Sequence, residues 1–137
     1  MGDFSARRGY VGIVDRLTPV GFYSDIEFGR SDQPALYDSI GTPHPDKGRI
    51  LEYLRSGHMI LVGGMGVRDE LSLDGEFVDA FMLMTDGVWI WPSSYPIYVE
   101  RYDAEIPRSL AELAKSRNWI SPEFPDVDFE ESMPFRD

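Results

Sequence analysis

Apolar positions are most concentrated between Phe77 and Pro92, where FVDAFMLMTDGVWIWP holds two apolar runs split by Asp86-Gly87. That dipeptide favours a two-residue hairpin loop, whose central positions need φ > 0. The spacing predicts pairing of Thr85 with Val88, Met84 with Trp89, Leu83 with Ile90 and Met82 with Trp91. Side chains alternate along a strand, so one face carries Ala80, Met82, Met84, Trp89 and Trp91. The other carries Asp79, Phe81, Leu83, Val88 and Ile90. Both faces are mostly apolar. One is therefore core, and the second is covered by a helix, a loop or another protein. The Trp and Met side chains read as core before they read as a stacking platform for a base or sugar.

Upstream, Tyr10 to Val14 has the composition of a strand. Val20, Phe22, Ser24, Ile26 and Phe28 alternate with Gly21, Tyr23, Asp25 and Glu27, the period of a half-buried strand. Pro34 to Ile40 fits a short helical turn. Asp46 then opens a helix through about Ser56, with Ile50, Leu51 and Leu54 on one side and Gly57 as its stop. Met59 to Val62 reads as a buried strand running into Gly63-Gly64-Met65-Gly66, and an acidic loop follows. After Pro92 the period becomes helical: Tyr95, Tyr98, Val99 and Tyr102 share a face, with Pro96 in the first turn. A further helix starts near Pro107 with Leu110, Leu113 and Ala114 on one side. The pattern predicts an α+β domain, a small, mainly antiparallel sheet with a central hairpin packed by about three helices. Within a single domain over 1–137, residues 1–8 form a loose N-terminus, 9–122 the globular body and 123–137 an acidic extended tail.

Charge changes this picture most. The 137-residue chain has 24 acids against 13 bases, a net −11. Such a field repels nucleic-acid phosphate and anionic lipid and attracts a basic partner. No apolar run approaches a membrane span and no long apolar stretch opens the chain, so a soluble, cytoplasmic protein is expected, with no membrane and no nucleic acid among its partners. The absence of cysteine removes disulfides, thiol catalysis and cysteine-based metal sites.

Chemical motifs weigh little. Gly64-Met65-Gly66 with Asp69 lacks the third glycine and the following helix of a dinucleotide-binding turn, and reads better as a bulge or bend. The carboxylates of Asp126, Asp128 and Glu130 are spaced as in a calcium loop, but Glu131 stands where the sharp turn needs glycine. His44 and His58 have no Gly-x-Ser-x-Gly turn to serve. No catalytic residue, metal ligand or cofactor site is assigned.

The segment TDGVWIWPSSYPIYVERYDAEIP, with Tyr53-Leu54-Arg55-Ser56-Gly57 upstream, resembles small acidic actinobacterial proteins similar to the immunity proteins of bacterial polymorphic-toxin systems. The likeness spans roughly Asp46 to Leu113 and rests on a turn, a strand end and helix caps. It implies a stoichiometric inhibitor, not an enzyme, that binds and blocks the active site of a cognate secreted toxin. The charge then nominates Asp69, Glu70, Asp74 and Glu76 before the hairpin, and Asp126, Asp128, Glu130 and Glu131 in the tail, as partners for basic groups. Tyr23, Phe77 and Phe129 are candidate aromatic anchors. Two alternatives stay open: a small-ligand or peptide-binding module using the Trp/Met face as a groove, and a carboxylate-based enzyme of unfamiliar type.

Overall fold

A computed structural model describes residues 13–135. It is α+β: a four-stranded, mostly antiparallel sheet with three helices. Strand β1 is Thr18–Pro19, and helix α1 is Lys47–Arg55. Strands β2, β3 and β4 are His58–Arg68, Phe77–Thr85 and Trp89–Pro92. Helices α2 and α3 are Ser94–Tyr102 and Arg108–Ser116. The strand order is β1-β4-β3-β2, with β1 parallel to β4 and the other pairs antiparallel.

The hairpin forms with its register two residues away from the predicted one. Thr85 pairs with Ile90, Met84 with Trp91 and Leu83 with Pro92. Side chains inside the loop cause the displacement. Asp86 Oδ1 accepts from the amides of Val88 at 3.0 Å and Trp89 at 2.7 Å, while Thr85 Oγ1 accepts from Gly87 N at 3.0 Å and donates to Trp89 O at 2.6 Å. Only Gly87, at φ 92°, uses the left-handed conformation there. A shift of two preserves the side-chain faces, whereas a shift of one would exchange them.

Both faces are covered, by different material. Met84 and Trp91 pack with Tyr53, Leu54, Tyr95, Tyr98 and Leu110 from the three helices. Leu83 and Ile90 pack on the other side with Leu17, Phe22, Phe124 and Phe129. The Trp face is thus core, with Trp91 fully buried. A buried polar node joins the layers: the Tyr53 hydroxyl donates to Asp86 Oδ2 at 2.6 Å, and Arg117 donates to Tyr53 Oη at 3.0 Å and to Asp86 O at 2.7 Å. Burial, and then the charge of Asp86, push the Tyr53 hydroxyl well above its ordinary value, so it stays a donor.

Besides the hairpin register, three expectations need correction. Val20 to Phe28 is not a strand. Val20, Phe22 and Tyr23 are all buried, and Gly21 at φ 84° turns the chain where a Cβ would stand 2.6 Å from Tyr95. The bend sends Val20 and Tyr23 to the helix side and Phe22 to the other. Secondly, β2 is a long edge strand rather than a short buried one, with Met59, Leu61 and Val62 about half exposed. Thirdly, residues 123–135 are not an extended tail lacking core: Phe124 and Phe129 are buried and Glu130–Ser132 forms a 3-10 turn. Apolar residues interleaved with the acids close the second sheet face. Of the expected Tyr10–Val14 strand and loose N-terminus, residues 1–12 lie outside the described residues, and 13–14 are in no strand.

Candidate interaction surface

Strands β2 and β3 form a ribbon that runs out to the acidic loop 69–76. Asp69 organises that loop. Its Oδ1 accepts from Leu71 N at 2.9 Å and Ser72 N at 3.2 Å; its Oδ2 accepts from Arg101 and from the Tyr102 hydroxyl, each at 2.8 Å. Asp69 is fully buried. Burial disfavours its charge, but the Tyr102, Arg101 and Leu71 bonds prevail and hold the carboxyl below its usual range. It is a strut between loop and α2, with no open oxygen face for a partner.

The neighbouring acids differ in role. Glu70 is exposed, although its carboxylate accepts from Glu27 N and its own amide donates to the Tyr98 hydroxyl at 3.2 Å. Desolvation raises Tyr98 to about 12, so that hydroxyl stays protonated and also donates to Arg68 O at 3.1 Å. Glu76 is exposed and meets Arg101 at 2.9 Å. Asp74 and Asp79 are exposed.

Among the three anchors, only Phe77 is presented, at 61 % exposure, with the Arg68 guanidinium 3.8 Å from its ring centroid. Leu73 projects fully from the loop. Tyr23 and Phe129 are each only 3 % exposed, so both belong to the core of this chain. Asp126, Asp128, Glu130 and Glu131 are exposed. Their segment packs on the sheet face opposite α2, to which the loop is tied, so the structure does not gather the two acidic groups into one surface.

Sequence reading missed the exposed apolar row of Met59, Leu61, Val62 and Met65. A signal was present: residues 56–67 carry no formal charge in a chain where charged residues are 27 %. The groove imagined on the Trp/Met face reduces to a recess of about 90 Å³ between Leu54, Met82, Met84 and Ile97. Small-molecule sites usually have several hundred Å³. Among the described residues no His, Asp and Glu cluster could hold a metal, and no helix is long and apolar enough to cross a membrane. No protein-family model matches the chain, and neither a curated protein nor a solved structure matches it significantly.

Proposed function

We propose that the chain is an immunity-type inhibitor that binds a basic secreted toxin enzyme and occludes its active site through the tip of the β2–β3 ribbon. The observation that carries this reading is an acidic loop that presents apolar side chains. Phe77 and Leu73 stand exposed in or beside a loop that also exposes Glu70, Asp74 and Glu76, with exposed Asp79 two residues further along β3 and Arg68 stacked on the Phe77 ring. Aromatic anchors supply affinity when a partner pocket desolvates them, and surrounding charges steer encounter and fix orientation. The net −11 extends that steering to a cationic partner. Asp69 serves by holding the tip to α2, and the tail acids contribute through the long-range field.

The test is affinity purification from the native lysate with the full chain, beside a Phe77→Ala, Asp74→Lys double variant. A basic enzyme retained by the wild type, released by the double variant and inhibited at one-to-one stoichiometry is the expected outcome. A retained protein whose activity is untouched by saturating amounts of the chain would falsify the reading.

A further inference from the structure

We propose that the recess between the start of α1, helix α3 and Trp119 binds a small aromatic anion, a planar ring carrying a carboxylate or a phosphate. The recess has a volume of about 330 Å³, within the range of small-molecule sites. Ile106 and Ala111 give it apolar lining, and His44, Arg108 and Lys115 bring polar groups to it. Apolar walls with a few convergent polar groups are the ordinary make-up of a ligand site.

The bases decide the sign of the ligand. With 24 acids against 13 bases, any base in this chain has an excess of carboxylates to pair with. Among the described residues, Arg30, Lys47, Arg55, Arg101, Arg108 and Arg117 each meet a carboxylate. Arg16 and Arg68 each donate to a backbone carbonyl. Arg49 and Lys115 alone among the described lysines and arginines meet neither. Both stand at this recess, Lys115 in its lining and Arg49 over the Trp119 ring, 5.9 Å from the centroid. His44 adds a donor, because its Nδ1 accepts from Asp46 N at 3.0 Å and so leaves the ring hydrogen on Nε2. Two acids also line the recess. Glu112 is engaged by Arg108 at 3.0 Å, and Asp46 is outnumbered by Arg49 and Lys115. The local balance is positive in a chain of net −11. A carboxylate or phosphate would find charge-assisted hydrogen bonds here that no acid of the chain takes up.

Trp119 makes the ligand aromatic. It is half-buried, packed against the helical core, and its remaining surface lines the recess. Its backbone sits at φ 62°, directly after Asn118 at φ 56°. The two amides close the end of α3, Asn118 N onto Lys115 O at 3.0 Å and Trp119 N onto Ala114 O at 2.8 Å. Left-handed residues at a helix end are ordinarily Gly or Asn, and a bulky residue there is an outlier. Asn118 fits that rule and Trp119 departs from it. The departure brings an indole to the same recess as the two uncommitted bases, where it offers a stacking surface to a planar ring. None of these residues belongs to the ribbon tip, so the site is separate from the surface assigned to the protein partner.

The experiment titrates the full chain with 2-naphthoate and 2-naphthyl phosphate, which differ only in the anion, and with uncharged 2-naphthol. The readout is the indole N–H resonance of Trp119, assigned with the Trp119→Phe variant. At least one anion should shift it saturably, with a dissociation constant below about 1 mM. That anion should bind at least tenfold tighter than 2-naphthol, and the preferred one distinguishes a carboxylate ligand from a phosphate ligand. The Arg49→Gln, Lys115→Gln double variant should lose the tenfold preference and keep its melting temperature, since both side chains are exposed. If the double variant unfolds, Lys115→Gln alone is read in the same way. No saturable shift of Trp119 with either anion overturns the proposal. Equal affinity for 2-naphthol, or anion binding unchanged by the substitutions, overturns it as well. Toxin inhibition enters none of these readings, so this site and the proposed function stand or fall separately.

Discussion

Removing the Phe129 side chain tests whether the C-terminal segment is a structural layer. Phe129 is 3 % exposed; its ring lies 5.8 Å from the rings of both His58 and Phe124, over a face formed by Leu83 and Ile90. Phe→Ala at a closed core site costs about 3–5 kcal/mol, because transfer and cavity terms add. With a urea slope near 2 kcal/mol per M, the unfolding midpoint should fall by roughly 2 M. Against a typical total stability of about 5–15 kcal/mol, the variant should fold but with a narrow margin.

Truncation after Pro122 goes further. It removes both buried phenylalanines, the Ser132 carbonyl that accepts from Leu17 N at 2.8 Å, and Phe135, whose ring packs edge-on to Phe22 at 4.8 Å. Leu83, Ile90, Leu17 and Phe22 would then face water. The truncated chain should fail to give a cooperative urea transition by tryptophan fluorescence. A Phe129→Ala cost below about 1 kcal/mol, or a truncated chain with an unshifted midpoint, would refute the layer argument, because deletion of a closed aromatic cannot be that cheap.

Trp91→Ala should cost about 3–5 kcal/mol by chemical unfolding, since Trp91 is fully buried beneath the helices; a near-neutral result would mean that face is open. Gly87→Val should lower the melting temperature, as Gly87 sits at φ 92°, where a β-branched side chain is strained; an unchanged value would count against the loop geometry. The pH dependence centres on His58, whose pKa burial lowers from its ordinary 6.5, with Glu123 opposing. Because the folded value is the lower one, the unfolded chain takes up the proton first. Stability from this group is therefore present above about 6.5, falls as pH drops towards the folded value, and is flat below it. His58→Asn keeps an acceptor for Phe124 N without the titration, so the wild type minus variant difference in stability should shrink or reverse between pH 7 and 5; parallel curves would exclude the linkage.

How much of this was legible in the sequence follows from how local each signal is. The helices were visible because their faces repeat within one element: Ile50, Leu51 and Leu54, or Tyr95, Tyr98 and Val99, are buried as the period requires. The hairpin was visible but its register was not. Asp86 and Thr85 make their own side-chain bonds inside the loop, and a dipeptide rule does not weigh these. The faces survived because the displacement was even. Burial of Asp69 could not be read from an acidic run, since its partners Arg101 and Tyr102 lie more than 30 residues ahead. Val20 to Phe28 misled for the opposite reason: period two in sequence describes a strand only if the backbone stays extended, and Gly21 bends it.

The candidate site follows from an imbalance in the sheet's coverage. The helices close one face over Met84 and Trp91, and the C-terminal segment closes the other over Leu83 and Ile90. Both layers are centred on the inner strands β3 and β4. Strand β2 is longer than the layers beside it, so Met59, Leu61, Val62 and Met65 keep about half their surface in water. A domain this small could have shortened β2 by several residues and lost little core. Instead the ribbon is carried outward to a loop that a buried carboxylate, Asp69, ties to α2 through Arg101 and Tyr102. Holding a loop that firmly forfeits chain entropy for little added core beyond Leu71, and under the function proposed above it preorganises the tip for a partner.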